Sequence, residues 1–221
     1  MGVLFAIGTL FAWGLGDFFI QRTTRKIGVL KSLFAITALA TILLLPFVKN
    51  EIVPILSEPS NLLLILIAAL TGFLASLTDF QALKQGKIAV VEAVVSLELP
   101  LTVGIGLVFL KEQVKPIELS LIAVIFTGIL LVIITRWSQK NWHAFFERGT
   151  IYALGGAAGL AIFNVLTALT SQATAPLAAI WFIHTLIAVF TLVLLVRRRD
   201  LGSLAADFRA HPALISAPKR F

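Results

Sequence analysis

Long runs of apolar residues, separated by short polar segments, make up most of the chain. A helix needs about 20 apolar residues to cross the hydrocarbon core of a bilayer, because it rises about 1.5 Å per residue. Seven stretches reach this length, and none shows the strict alternation of a barrel strand. The predicted spans are approximately Gly2–Ile20, Val29–Val48, Leu62–Leu83, Ile88–Leu110, Ile117–Thr135, Gly149–Thr170 and Pro176–Val196. The pattern therefore predicts an all-α, polytopic transmembrane helix bundle.

The composition agrees with a membrane protein. Hydrophobic residues make up 59% of the 221 residues and charged residues only 13%, with a mean hydropathy of +1.00. Soluble domains average about 45–50% apolar and about 25% charged residues. A chain this apolar cannot cover itself with a polar surface, so a soluble globular enzyme is excluded and the lipid bilayer is the expected partner. Cysteine is absent, which excludes disulfides, thiolate metal sites and a cysteine nucleophile.

The basic residues lie between the apolar runs and fall mostly on one side of the predicted membrane. When the connections are numbered in order, 15 of the 18 Lys and Arg residues belong to the first, third and fifth connections and to the tail. The positive-inside rule assigns that side to the cytoplasm and the N-terminus to the outside. Membrane topology thus explains the net charge of +7, and nucleic acid is not an expected partner.

A weak internal repeat relates the start of the chain to its last third. When Gly2 is set against Gly149, Ala6 meets Ala153 and Asp17 meets Asn164, together with further apolar matches. Five predicted spans separate the two starts, so the second copy enters the membrane from the opposite face. Many secondary transporters are built from such inverted repeats, with the binding site between the halves near the midplane.

The repeat predicts three parts of the chain. Residues 1–136 form a first repeat of five helices, residues 137–148 a linker, and residues 149–221 a partial second repeat of two helices followed by a basic tail. A short amphipathic piece in the tail is predicted either to lie in the membrane interface or to be a solvated loop. The sequence stops where the third helix of the second copy is expected, so we expect a C-terminally truncated form of a ten-helix protein.

Short motifs in a fixed order resemble the EamA-type transporters of the drug/metabolite transporter (DMT) superfamily. These motifs are Trp13-Gly14, Ala82-Leu83-Lys84, Ser96-Leu97-Glu98-Leu99-Pro100, Gly128, and Lys111-Glu112 where the family usually has Gly-Glu. The resemblance implies a prokaryotic inner-membrane carrier of small metabolites or drugs, built from two five-helix halves. Members of the family are usually drawn with both termini in the cytoplasm, which differs from the charge count.

Glu98 is the main candidate for a functional ionisable group. It lies near the centre of its predicted span, where an ionisable side chain costs about 2.5–3.5 kcal/mol on insertion scales. Pro100, two residues later, lacks a backbone donor and loosens the helical hydrogen bonds there. A carboxylate beside a kink at the midplane is typical of a cation or proton site. The structural alternative is a hydrogen bond between helices.

Three other acidic residues, Asp17, Asp79 and Glu92, are predicted to lie toward the basic, cytoplasmic ends of their spans. Arginine and lysine side chains of the neighbouring connections are expected at the same depth. The simpler interpretation is a set of salt bridges at the helix ends, with long basic side chains reaching the interface. The alternative is an entrance lined by carboxylates, which favours cationic or zwitterionic solutes over anions.

The remaining polar candidates are Trp13, Asn164 and His184. Trp13 and Asn164 are predicted either to line a pocket or to pack helices together, and His184 to be a hydrogen-bonded packing residue or a proton relay. The glycines of the sixth span, among them Gly149 and Gly155, predict a slim helix that approaches a neighbour closely.

Two functions remain open, and neither is enzymatic. The sequence has no metalloprotease motif and no Gly-x-Ser-x-Gly motif, and we expect no cofactor and no metal. Serines and His184 within the spans leave only an intramembrane serine protease formally open as an enzyme. The first hypothesis is a multi-pass secondary transporter that moves small solutes by alternating access. The alternative is a truncated, non-transporting membrane protein, or a half-transporter that completes its bundle as a homo- or hetero-oligomer.

Overall fold

The computed structural model describes residues 2–111, 115–138 and 148–202, and its secondary structure within these ranges is helical, without strands. The linker residues 139–147 and the tail from residue 203 lie outside the described residues, and so do the predictions made for them. The helices are α1 (Gly2–Ile27), α2 (Val29–Val48), α3 (Ile52–Leu56), α4 (Pro59–Gln85), α5 (Ile88–Val95), α6 (Glu98–Phe109), α7 (Pro116–Ser138), α8 (Arg148–Ala173) and α9 (Pro176–Arg197).

Five helical segments are long and apolar enough to cross a membrane. They are α2, α4, the combined segment Ile88–Phe109, α8 and α9. Each coincides with a predicted span. Helices α1 and α7 cover the other two predicted spans, although the apolar part of α7, Pro116–Leu131, is shorter than a full crossing. The predicted fold class, a polytopic bundle of membrane helices, is confirmed.

Helix α1 is longer than its predicted span. The sequence predicted an end at Ile20, where the apolar run stops, whereas the helix continues to Ile27. Thr24 is buried in this polar extension, and its hydroxyl is satisfied because it donates to the carbonyl oxygen of Ile20 at 2.8 Å. Arg25 and Lys26 in the last turn interact favourably with the negative end of the helix dipole. Asp17 therefore lies roughly three turns before the helix end.

The predicted fourth span is divided into two helices. Pro100 has no N–H group for the carbonyl oxygen of Ser96, which accepts from Leu99 N at 3.2 Å instead. Residues Ser96 and Leu97 form a turn, and α6 starts at Glu98. The kink predicted near Pro100 is thus present one turn earlier along the chain, and it places Glu98 in the first turn of a helix.

Glycines bring α4 and α8 into close antiparallel contact. A side-chain carbon added at Gly149 would lie 2.6 Å from the Cα atom of Gly86, so the two backbones nearly touch there. The residues that lie opposite each other along the interface are Gly149 and Gly86, Gly156 and Asp79, Gly159 and Ala75, and Phe163 and Gly72. Small residues allow this approach, which maximises packing between membrane helices. The slim helix predicted from the glycines is confirmed.

A second antiparallel pair, α2 and α9, completes the centre of the bundle. Leu33 near the start of α2 clusters with Ile187, whereas Val48 at its end clusters with Ala178. Midway, the indole nitrogen Nε1 of Trp181 donates to the carbonyl oxygen of Thr41 at 2.9 Å. The two pairs join the predicted first repeat to the predicted partial second repeat.

Candidate functional site

Four carboxylates from four different helices lie within electrostatic range of one another. They are Asp17 of α1, Asp79 of α4, Glu92 of α5 and Glu98 of α6, hereafter the carboxylate cluster. The charges of Asp17 and Glu98 act on Asp79, and the charges of all three act on Glu92. The sequence placed Glu98 apart from the other three, at a different depth. The structure brings it together with them.

Three of the four carboxylates are carried by helices that pack on α8, and the fourth, Asp17, by α1, which packs on α4. The backbone of Asp79 lies against Gly156, where an added side-chain carbon would meet the Asp79 Cα and N atoms at 3.4 Å. Helices α5 and α6, which carry Glu92 and Glu98, also pack on α8. Like charges within an apolar bundle repel each other, and a proton or another cation between them relieves that repulsion. The arrangement is therefore suited to holding a positive charge.

The basic residue Arg25 contacts helix-end carbonyl groups. Its Nε donates to the carbonyl oxygen of Lys84 at 3.3 Å, and its Nη2 donates to that of Gly86. Gln21, one turn earlier, donates to the carbonyl oxygens of Leu83 and Gly86 at 3.2 and 3.4 Å. These carbonyls end α4 and lack partners within the helix. Arg25 thus joins α1 to the end of α4. It does so through backbone carbonyl groups, whereas the sequence predicted salt bridges between basic side chains and carboxylates.

A cavity of about 240 Å³ lies beside the cluster, between α6, α7 and α8. Its lining includes two predicted candidates, Pro100 and Asn164, and the other lining residues are Leu99, Thr102, Val103, Ile122, Ile125 and Phe126. The Thr102 hydroxyl donates to the carbonyl oxygen of Glu98 at 2.7 Å. Thr102 of the cavity lining therefore lies one helical turn from Glu98, the residue of α6 that carries a carboxylate of the cluster.

Two predicted candidates lie away from the cavity lining. The Nδ1 atom of His184 on α9 is 2.9 Å from the carbonyl oxygen of Ile180, one turn earlier in the same helix. This contact fits the packing role considered for His184. Trp13 on α1 is 66% exposed, and its neighbour Gly14 has no other atom within 4 Å of an added side-chain carbon. Trp13 thus faces the surroundings of the described bundle.

The sequence did not point to the α7 side of the cavity. Ile122, Ile125 and Phe126 recur at helical spacing on one face of α7, which is a signal for a packed face. The spacing alone does not tell which helix that face meets. Thr102 was detectable in principle, because it follows Glu98 by one turn on the same side of a helix.

These features define the class of protein: a multi-pass helical membrane protein with ionisable groups gathered inside its bundle. The profile of the EamA-like transporter family matches residues 1–134, which is more than half of the chain. The chain belongs to this family of membrane transporters in the DMT superfamily. Neither the curated proteins nor the solved structures give a significant match. The family confirms the resemblance drawn from the short motifs, and it is a family of transporters rather than of enzymes.

Proposed function

We propose that this chain is a secondary transporter in which the carboxylate cluster carries the coupling proton or cation. The observation behind the proposal is the convergence of Asp17, Asp79, Glu92 and Glu98 from four helices. Ionisable groups inside membrane bundles are costly and are typical of ion and proton pathways. A carboxylate that binds the cation and the solute in alternation couples the movement of one across the membrane to the movement of the other.

The helix pairs support a mechanism of alternating access. Helices α2 and α4 of the predicted first repeat pack antiparallel to α9 and α8 of the predicted second repeat. Inverted repeats place substrate and coupling sites at such an interface, and rocking of one repeat against the other opens each side in turn. Small cationic or zwitterionic solutes are the class that complements the cluster.

Transport by purified protein in proteoliposomes tests the coupling. The probe is radiolabelled phenyltrimethylammonium, whose permanent charge prevents passive crossing. We expect an imposed pH gradient to accelerate uptake by the wild-type protein, and Glu98→Gln to abolish the acceleration while exchange without a gradient persists. The control is Glu58→Gln, because Glu58 is exposed and makes no side-chain cap at the start of α4. Full acceleration in Glu98→Gln would contradict the proposed coupling role.

A second candidate is a half-transporter that assembles with another chain. Its support is the part of α1 from Gly8 to Gly16, where Gly8, Gly14 and Gly16 have no other described atom within 4 Å of an added side-chain carbon. Small residues of this kind let membrane helices approach closely. Disulfide cross-linking of Gly14→Cys in native membranes tests this candidate, since the natural chain has no cysteine. Absence of a cross-linked species would exclude a symmetric homodimer in which the two Gly14 positions meet.

A further inference from the structure

The cavity between α6, α7 and α8 combines an apolar wall with one free amide. Apart from Thr102 and Asn164, its lining residues are apolar. Thr102 already donates its hydroxyl to the carbonyl oxygen of Glu98. The Asn164 side chain makes no hydrogen bond to any other residue in the part of the chain that the structure describes. An amide at mid-helix in a membrane protein needs a partner, because an unpaired polar group in an apolar environment is costly.

The size of the cavity limits what it accepts. An engineered protein cavity of about 150 Å³ with an apolar lining binds benzene. The present cavity, at about 240 Å³, therefore has room for one aromatic ring with a few additional atoms. A two-ring compound nearly fills this volume, and a three-ring compound exceeds it.

The surroundings of the cavity determine the charge and the entry route of its occupant. Glu98, one turn from Thr102, belongs to the carboxylate cluster, which complements a cationic group. Leu99 and Ile125 of the lining are 51% and 53% exposed, so the cavity opens to the outside of the described bundle, which lipid is expected to surround. Compounds with an apolar body and a charged end concentrate at membrane interfaces and reach such an opening from the bilayer.

We propose that this cavity binds the apolar ring of a small amphipathic organic ammonium ion, with the ammonium group toward Glu98 and a polar substituent or water on Asn164. This assignment rests on the proposed transport function and names the substrate class for it. Val103 and Phe126 set the size of the accepted ring, and Asn164 selects among ring substituents. The cluster provides charge selectivity, and the cavity provides shape selectivity.

Equilibrium binding of phenyltrimethylammonium to the purified protein in detergent tests the assignment without any gradient. We expect Val103→Phe, which fills the cavity, to weaken binding at least about tenfold, because the ring loses its buried surface. Val108→Phe is the matched control, since Val108 lies on the same helix, is 70% exposed and does not line the cavity. Wild-type affinity in Val103→Phe, or equal losses in both variants, would overturn the assignment.

A gain of binding separates the assignment from a loss of folding. Phe126→Ala enlarges the cavity, and we expect it to bind naphthyltrimethylammonium more tightly than the wild-type protein does. A variant that is merely damaged cannot show this gain, so its absence in a monodisperse Phe126→Ala protein counts against the cavity. Labelling by a photoactivatable phospholipid that the ammonium probe does not displace would assign the cavity to lipid and also overturn the proposal.

The two proposals fail in different experiments. If binding depends on Val103 but Glu98→Gln keeps its response to a pH gradient, the cavity is supported and the coupling role fails. If gradient-driven uptake depends on Glu98 but binding is indifferent to Val103 and Phe126, the coupling role is supported and the cavity fails. Both measurements use the same probe and the same chain, so their results are directly comparable.

Discussion

Substitution of Gly149 by alanine would place a methyl carbon inside the backbone of α4. The new carbon would lie 2.6 Å from the Cα atom and 2.7 Å from the N atom of Gly86, distances that real side-chain carbons do not reach. A flexible side chain would rotate away from such a contact, whereas a helix-end backbone has to move. Gly86 is also tied to α1 through Arg25 and Gln21, so its displacement strains those hydrogen bonds as well.

The net effect combines a packing cost with a gain in helix propensity. Overpacking costs about 1–3 kcal/mol, and a backbone clash belongs at the upper end of that range. Alanine offsets about 1 kcal/mol of this cost, because it favours the helix more than glycine does. We therefore expect Gly149→Ala to lower the free energy of unfolding by about 2 kcal/mol. For a chain of this size the melting temperature falls by about 4–8 °C.

Thermal melting of the detergent-purified protein, followed by size-exclusion chromatography, measures this change. The matched control is Gly155→Ala on the same helix, where the nearest atom to the added carbon is Cγ2 of Thr78 at 3.9 Å. The control gains the same helix propensity without a clash, so its melting temperature should stay equal or rise. Equal melting temperatures for the two variants would refute the close contact between α4 and α8.

Two further predictions concern the α2–α9 pair and the topology. Trp181→Phe removes the hydrogen bond to the Thr41 carbonyl and should lower the free energy of unfolding by about 1 kcal/mol, measured by thermal melting. Trp13→Phe, at an exposed position, should leave the melting temperature unchanged. A similar drop in the two variants would show that the hydrogen bond of Trp181 does not account for the loss of stability. Cysteines introduced at Lys31 and Arg198 should react with a membrane-impermeant maleimide from the same side of the membrane. Labelling from opposite sides would contradict the predicted number of crossings.

The helices were predictable from the sequence because membrane spans depend on local composition. The hydropathy pattern located α2, α4, α8 and α9 to within a few residues, since each is one uninterrupted apolar run. It missed the polar end of α1, where the basic last turn stabilises a helix that hydropathy does not detect. Pro100 indicated the kink, but not its position at Ser96 and Leu97.

The candidate site was predictable only as separate residues. Glu98, Asp79 and Asn164 were identified because polar groups within apolar runs are costly. Which of them meet depends on the pairing of α4 with α8 and of α6 with α8, and hydrophobic periodicity does not encode a partner. The glycines of α8 indicated close packing without indicating against which helix. The α7 side of the cavity gave no signal of function at all.

The turn between α5 and α6 provides a pivot inside the membrane. At Ser96 and Leu97 some backbone bonds span three residues instead of four, as between Leu97 N and the carbonyl oxygen of Val94. A helix can bend at such a point while both of its halves remain intact. Glu92 lies before the turn and Glu98 directly after it, so a tilt of α6 changes the spacing of these two carboxylates. A small rotation of one short helix thereby alters how strongly the pair holds a positive charge.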